Sequence, residues 1–168
     1  MNPTEKRRHG VNEVIPGRLY QRANFLTWPY MDKKDMLSAL SINVVVNLWR
    51  PIDSDMADHR RGTKHNDALY INWHMATDTP PSGADDLVRF LGALMRKEAV
   101  VLVHCEAGRN RSAWLCARLV GDLLNVDWKV ALATVQRAVP KAAINRRLKK
   151  DVEQARPLIY TPPFSTHG

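Results

Sequence analysis

Residues 100–112 have the sequence Val-Val-Leu-Val-His-Cys-Glu-Ala-Gly-Arg-Asn-Arg-Ser, and the rest of the chain can be interpreted outward from them. The first four residues are apolar and mostly β-branched, which predicts a buried strand. Residues 113–120 are apolar on nearly every side, which predicts a buried helix. A tight loop from Cys105 to Arg111 should therefore join the strand to the helix. Such loops direct backbone N–H groups into one concavity, where the helix dipole adds positive potential. The stretch predicts an anion site with a sulfur atom at its floor.

Length and composition limit the class of protein. The chain has 168 residues, of which 45% are hydrophobic and 25% are charged. This length suits one hydrophobic core and is too short for two domains that each have a core of ordinary size. The apolar runs span only a few residues, so no membrane-spanning segment is predicted. The N-terminus lacks the apolar segment of a signal peptide. A soluble, single-domain globular protein is expected.

Strand and helix patterns alternate along the rest of the chain. The basic residues 1–15 are expected to form a loose arm, residues 51–67 a polar loop, and residues 161–168 an unstructured tail. Strands are predicted at 17–20, 42–49, 69–75 and 100–103, and helices at 31–40, 87–95, 113–120, 126–139 and 143–155. This alternation predicts one α/β domain whose central, mostly parallel sheet is flanked by helices on both faces.

The net charge and the cysteine content indicate the class of partner and the redox compartment of the protein. The formal net charge of +8 favours an anionic partner, and nucleic acid, phosphoprotein and phospholipid all fit this charge. The two cysteines, Cys105 and Cys116, do not suggest a disulfide framework, so a reducing, cytoplasmic setting is expected. No histidine stands at metal-ligand spacing from either cysteine. Neither a metal nor another cofactor is expected.

The motif His104-Cys105-X5-Arg111-Ser112, after an apolar strand and before an apolar helix, resembles the signature loop of the cysteine-dependent phosphatases. The order of elements is most similar to the dual-specificity branch, and the similarity covers residues 17–155. The resemblance implies a phosphatase that acts through a phosphocysteine intermediate. The expected organisation is a basic N-terminal arm at 1–16, a dual-specificity phosphatase-like catalytic domain at 17–158 and a flexible tail at 159–168.

The spacing of the motif also suits a phosphate monoester on chemical grounds. Arg111, at the helix start, can bind two phosphate oxygens with its planar guanidinium. Cys105, at a helix N-terminus beside an arginine, should ionise readily and attack phosphorus as a thiolate. Gly108 permits backbone geometry that a β-carbon would hinder. The residues whose backbone N–H groups are expected to bind the phosphate are Glu106, Ala107, Gly108, Arg109, Asn110 and Arg111.

A proton donor is needed to expel the leaving oxygen, and three aspartates compete for this role. Asp85 lies three residues after Ser82, as in a helix capping box, and Asp86 sits in the first turn of the same helix. Asp78 follows a strand expected to lie parallel to the signature strand, so its loop should reach the same end of the sheet. The phosphatase family carries its general acid at the matching position. The prediction is that Asp78 is the general acid.

Three residues near the nucleophile have predicted supporting roles. Ser112 can cap the helix, and the resemblance implies that its hydroxyl assists the cysteine as leaving group when water hydrolyses the intermediate. His104 is expected to point away from the site and to hold the loop by hydrogen bonding. Cys116, one helical turn after Ser112, is expected to pack in the core.

The substrate is predicted from two positions of the loop. Glu106 disfavours the phosphoinositide members of the superfamily, which tend to have lysines here. Asn110 resembles the RNA 5′-triphosphatase branch, and the basic charge would suit RNA. The preferred partner is a phosphorylated protein bearing phosphotyrosine or phosphoserine/threonine, with triphosphorylated RNA as the alternative. An alternative of another class is a non-catalytic phosphate-binding module. A monomer is the default expectation.

Overall fold

One five-stranded sheet forms the centre of the protein. The computed structural model describes residues 10–25, 28–49, 68–75 and 79–155. The strands in these ranges are β1 (Val11–Ile15), β2 (Leu19–Arg22), β3 (Val44–Asn47), β4 (Leu69–Asn72) and β5 (Val101–His104). Their order is β1-β2-β5-β3-β4, and neighbours are parallel except β1, which is antiparallel to β2. β5 is therefore central and is hydrogen-bonded on both sides.

Helices cover both faces of this sheet. The helices in the described ranges are α1 (Tyr30–Ala39), α2 (Ala84–Arg96), α3 (Arg111–Leu124), α4 (Trp128–Ala138) and α5 (Arg146–Gln154). Val101 and Val103 of β5 belong to the apolar cluster shared with α2 to α5, whereas Leu102 belongs to the cluster shared with α1. Alternate strand residues face opposite sides of a sheet, so each face has its own core. The predicted α/β fold, with a mostly parallel sheet between helices, is confirmed.

The first strand differs from the expected loose arm over residues 1–15. Residues 11–15 form β1, in which Val11, Val14 and Ile15 are buried beside β2. The chain then turns through Gly17, whose φ is +66°. The prediction of an arm was wrong for this segment because the basic residues before it dominate the local composition. Residues 1–9 lie outside the described residues.

Side-chain caps set the start of two helices. The carboxylate of Asp127 accepts a hydrogen bond from the backbone N–H of Lys129 at 2.8 Å, so α4 begins after the predicted start at residue 126. Asn145 caps α5 in the same way, since its Oδ1 accepts from the N–H of Leu148 at 3.0 Å. Each cap satisfies N–H groups that the first turn of a helix leaves without an intrahelical partner.

The start of α2 corrects the predicted capping box. Gly83 is the residue before the helix, its φ is +77°, and no side chain caps this helix start. Ser82 is therefore not the N-cap. The Asp85 carboxylate is instead hydrogen-bonded to Arg118 of α3. A left-handed glycine ends the preceding loop and replaces the side-chain cap.

Three further sequence-based predictions lie outside the described residues: the polar loop at 51–67, the tail at 161–168 and the position of Asp78. In the part of the chain that the structure describes, no helix is long and apolar enough to cross a membrane.

Candidate active site

The loop from Cys105 to Asn110, called the signature loop below, follows the carboxyl end of β5. The parallel strands β2, β3 and β4 end at the same edge of the sheet. Ligands of open α/β sheets bind at this edge. The signature loop leads directly into α3, which begins at Arg111 and is buried over most of its length. The predicted strand, loop and helix are all present.

The backbone carbonyls of the signature loop bond to the surrounding structure. Four of them accept hydrogen bonds: Glu106 from Asn24 N (2.9 Å), Gly108 from Gln21 Nε2 (2.6 Å), Arg109 from Ala143 N (2.8 Å) and Asn110 from Trp114 N (2.9 Å). In a trans peptide unit the carbonyl and the N–H point in opposite directions. The N–H groups of Ala107, Arg109 and Asn110, which follow the first three of these carbonyls, therefore point away from those partners. This geometry presents a row of donors to an anion.

Cys105 and Ser112 are in direct contact at the floor of the loop. The Cys105 sulfur lies 3.2 Å from the Ser112 hydroxyl oxygen. Both residues are buried, and Ser112 lies in the first turn of α3. The hydroxyl is placed to donate a hydrogen bond when the sulfur is charged. The positive end of the helix dipole favours the same charge.

The guanidinium of Arg111 is held at the ends of β3 and β4. Its Nη1 donates to the carbonyl oxygens of Leu48 at 3.3 Å, Trp49 at 3.2 Å and Met75 at 3.4 Å. Its Nη2 lies 3.6 Å from the carboxylate of Glu106. The Arg111 side chain is only 8% exposed, whereas that of Glu106 is 59% exposed. The arginine is thus held by backbone carbonyls, and the solvent-exposed member of the ion pair is the glutamate.

Gly108 is the point at which the signature loop touches the end of β2. Its φ is +64°, and an ideal Cβ at this position would lie 2.5 Å from the backbone nitrogen of Ala23. Real Cβ atoms do not approach backbone atoms this closely, so either residue 108 is glycine or the loop moves. The structure supplies the reason for the glycine that the motif contains.

Arg109 and Asn110 attach the signature loop to the segment between α4 and α5. Arg109 Nε donates to the carbonyl oxygen of Lys141 at 3.0 Å. Asn110 Oδ1 accepts a hydrogen bond from the backbone N–H of Asn145 at 2.8 Å. Both side chains therefore have contacts within the protein. The asparagine in particular has a structural role that does not require an RNA substrate.

Gln21 of β2 lies at the site although the sequence motifs did not indicate it. It is fully buried, and its Nε2 lies 2.7 Å from Ser112 Oγ. One signal was present in the sequence, because the polar residues Gln21 and Arg22 directly follow the apolar start of this strand. Its partners Gly108 and Ser112 lie 87 and 91 residues further along the chain. A pattern of local spacing contains no information about such a contact.

The family model for the dual-specificity phosphatase catalytic domain matches residues 25–156, which is most of the chain. The chain belongs to the dual-specificity phosphatase family. It is therefore an enzyme of the cysteine-dependent phosphatase type, and the sequence resemblance is confirmed at the level of the family.

Solved structures of phosphatases share this fold. Human DUSP28 is 17% identical, with a TM-score of 0.67 over 86% of this chain and 90% of that chain. Cydia pomonella PTP-2 phosphatase is 19% identical, with a TM-score of 0.68 over 85% and 88%. PTPMT1 in complex with PI(5)P is 14% identical, with a TM-score of 0.71 over 86% and 92%. At these identities the likeness is one of fold. A search of curated proteins finds no match to the chain.

Two of the three aspartates considered for this phosphatase have arginine partners. The Asp85 carboxylate is hydrogen-bonded to Arg118, a residue of α3 whose side chain is 3% exposed. The Asp86 carboxylate lies 3.0 Å from Arg89 Nη1 on the surface of α2. These contacts explain Asp85 and Asp86 without a catalytic role. Asp78 lies outside the described residues, and its role stays a prediction.

His104 and Arg22 lie on the α1 side of the sheet. The fully buried ring of His104 packs against Phe25 at a centroid distance of 4.8 Å, whereas Cys105 belongs to the apolar cluster on the other side. The Arg22 guanidinium lies 3.9 Å from the ring centroid of Trp28. Burial lowers the pKa of Arg22 to about 10, so the group is still protonated at neutral pH. It adds positive charge on the β2 side of the signature loop.

Cys116 is a core residue of α3. It is fully buried, and both cysteines are free thiols. Burial, together with the negative charge of Cys105, raises the pKa of the Cys116 thiol well above its ordinary value. Cys116 is thus a neutral, packed side chain. Among the residues that the structure describes, no group of three or more histidine, cysteine, aspartate or glutamate side chains could hold a metal ion.

Proposed function

We propose that this phosphatase hydrolyses phosphate monoesters of proteins, at phosphotyrosine and at phosphoserine or phosphothreonine, through a phosphocysteine on Cys105. The observation that carries the proposal is the joint geometry of the signature loop. Three of its carbonyls accept hydrogen bonds from groups outside the loop, a sulfur lies at its floor, and Arg111 is held by backbone carbonyls beside it. These groups match the charge, the oxygens and the electrophilic phosphorus of a phosphate monoester.

In the first step the Cys105 thiolate attacks phosphorus while the bond from phosphorus to the leaving oxygen breaks. The N–H groups of the signature loop and the Arg111 guanidinium bind the three equatorial oxygens. An incoming phosphate would take the place of the exposed Glu106 carboxylate beside Nη2. Asp78 donates its proton to the leaving oxygen, so a neutral alcohol or phenol departs.

In the second step water attacks phosphorus while the bond from phosphorus to sulfur breaks. Asp78, now a carboxylate, accepts a proton from the water. Inorganic phosphate is released and the Cys105 thiolate is restored. Ser112 Oγ, 3.2 Å from the sulfur, donates its hydrogen bond to the charge that develops there.

Two side chains of the signature loop favour a protein substrate over triphosphorylated RNA. Asn110, which motivated the RNA alternative, accepts a hydrogen bond from the Asn145 backbone and so has a structural explanation. Glu106 places an exposed carboxylate beside the Arg111 guanidinium. That carboxylate would repel additional phosphate groups on the same substrate. A substrate with a single phosphate fits these charges better.

Parallel phosphate-release assays test the proposal with a phosphotyrosine peptide, a phosphothreonine peptide and a 5′-triphosphorylated RNA. We expect release from both peptides and little from RNA. Cys105→Ser removes the nucleophilic sulfur and should abolish release. Cys116→Ala changes the other cysteine and is the matched control, which should stay active.

Two results would contradict this assignment. Preferential release of the γ-phosphate from RNA would favour an RNA 5′-phosphatase. Absence of release from every substrate, together with failure to trap a labelled phosphoenzyme, would indicate a phosphate-binding module.

A further inference from the structure

We propose that Gln21 is a positioning residue that directs the hydroxyl proton of Ser112 onto the sulfur of Cys105, and that Asn12 fixes the direction of the Gln21 amide. These four side chains form one chain of hydrogen bonds from the edge strand β1, through β2, to the floor of the signature loop. The inference rests on the proposed phosphocysteine mechanism. It goes further because it assigns roles to two residues outside the motif.

The direction of the Gln21 amide follows from the groups at its two ends. The carbonyl oxygen of Gly108 can only accept a hydrogen bond, so the atom 2.6 Å from it has to be the amide nitrogen. The same nitrogen lies 2.7 Å from Ser112 Oγ. At the other end, Gln21 Oε1 accepts from Asn12 Nδ2 at 2.8 Å. The amide therefore presents a donor to Ser112.

This donor determines what Ser112 can do. A serine hydroxyl has one proton to donate. Because Gln21 Nε2 occupies an acceptor position of Oγ, the proton is directed to another neighbour. The Cys105 sulfur lies 3.2 Å away, within reach of an O–H···S hydrogen bond. Gln21 thus selects the arrangement in which serine donates and sulfur accepts, which stabilises negative charge on the sulfur.

Burial makes the hydrogen bond from Gln21 to Ser112 difficult to replace. Gln21 and Ser112 are fully buried and Cys105 is 2% exposed, so water cannot supply a lost donor. A hydrogen bond to a charged group is stronger in such surroundings than in water. The sulfur loses negative charge when the phosphocysteine forms and regains it when the phosphocysteine is hydrolysed. Gln21 should therefore assist hydrolysis of the intermediate more than its formation.

Gln21→Met tests the inference, because methionine has a similar length and no strong donor. We expect phosphocysteine hydrolysis to slow about tenfold, with little change in its formation. A burst of p-nitrophenol from p-nitrophenyl phosphate and accumulation of labelled phosphoenzyme would report this. Alkylation of Cys105 by iodoacetamide should also need a higher pH to reach the same rate in this variant than in the wild type. Gln136→Met is the matched control, since the exposed side chain of Gln136 on α4 donates to the Pro140 carbonyl at 2.8 Å and does not belong to this hydrogen-bond chain.

A double-mutant cycle separates positioning from a general loosening of the loop. If Gln21 acts through Ser112, adding Gln21→Met to Ser112→Ala should slow hydrolysis little further. Additive losses would overturn the inference. Equal slowing of formation and hydrolysis in Gln21→Met would overturn it as well.

Asn12→Ala is a second variant, at the half-buried end of the hydrogen-bond chain. It keeps Gln21 in place and should shift hydrolysis and alkylation in the same direction by a smaller amount. If Gln21→Met does not fold, unchanged hydrolysis and an unchanged alkylation profile in Asn12→Ala overturn the inference. A wild-type protein that forms no phosphocysteine contradicts the proposed function instead. In that case the pH profile of Cys105 alkylation still tests the hydrogen-bond chain, because alkylation does not require turnover.

Discussion

The carboxylates of Asp85 and Asp86 each bond to an arginine, which separates them from the role proposed for Asp78. We predict that Asp78→Asn lowers kcat on a phosphothreonine peptide by about 10²–10⁴-fold, because the alkoxide must then leave without a proton. The loss should be smaller for p-nitrophenyl phosphate, whose leaving group needs less protonation. Steady-state kinetics on the two substrates measure the difference.

The matched controls are Asp85→Asn and Asp86→Asn, which keep kcat close to that of the wild type if their contacts are structural. A loss of kcat in Asp85→Asn, with Asp78→Asn unchanged, would assign the general acid to Asp85. The comparison uses the same chemical change at three positions that lie within nine residues of one another.

Gly108 and Gly17 have nearly the same left-handed φ, +64° and +66°, but different surroundings. Alanine at either position costs about 1–2 kcal/mol of backbone strain. Only at position 108 does the new Cβ also meet a backbone atom, the nitrogen of Ala23. We predict that Gly108→Ala lowers kcat/KM by about 10²-fold or more by displacing the loop, whereas Gly17→Ala leaves it unchanged. Equal kinetic losses in the two variants would show that strain alone is responsible. Urea denaturation of both variants measures the shared strain.

At the scale of secondary-structure elements, Arg118 of α3 joins two neighbouring helices. Its guanidinium bonds to Asp85 of α2 and, at 2.6 Å, to Asp151 of α5. The Asp151 carboxylate also accepts from Trp114 Nε1 at 2.8 Å. The side chains of Arg118, Asp151 and Asp85 are 3%, 24% and 67% exposed. Asp151 is therefore the partner whose loss would leave buried polar groups without a hydrogen bond.

We predict that Asp151→Ala lowers the free energy of unfolding by about 2–3 kcal/mol, because it removes one of the two carboxylates that bond to the buried Arg118 cation and leaves the indole N–H of Trp114 without its acceptor. Asp85→Ala should cost about 1 kcal/mol or less, since its carboxylate is largely solvated. Urea denaturation at neutral pH measures both. Asp86→Ala removes the exposed pair with Arg89 and is the control, with a change near zero. A larger loss in Asp85→Ala than in Asp151→Ala would contradict this account.

The sequence predicted those strands, loops and helices that are indicated by patterns of neighbouring residues. The apolar strand before Cys105 and the apolar helix after Ser112 are contiguous with the motif, so strand, loop and helix follow from one stretch of sequence. β1 was missed because its burial depends on pairing with β2, and local composition does not report pairing. Gln21 was missed for the same reason, since its partners are distant in sequence. Pairing across the sheet is set by tertiary packing, which overrides local patterns.

At the scale of the whole molecule, four strands supply the site. β5 leads directly into Cys105, the nucleophile proposed above, and β2 contributes Gln21. The carbonyl groups that hold Arg111 follow β3 and β4, at residues 48–49 and 75. The parallel arrangement brings these groups to one edge although they are far apart in sequence. The geometry of the site therefore depends on the order and register of the strands as well as on the motif.

The position of β5 leads to a prediction about hydrogen exchange. β5 is paired on both sides and buried over all four residues, whereas β1 and β4 each pair with one strand and β4 is partly exposed. We predict that the paired amides of β5 exchange only through global unfolding, while those of β4 and β1 exchange through local opening of lower free energy. Native-state exchange in increasing urea distinguishes the two routes. Opening of β1 would also detach Asn12 from Gln21. Exchange of β4 and β5 with one common free energy would show instead that the sheet opens as a single unit.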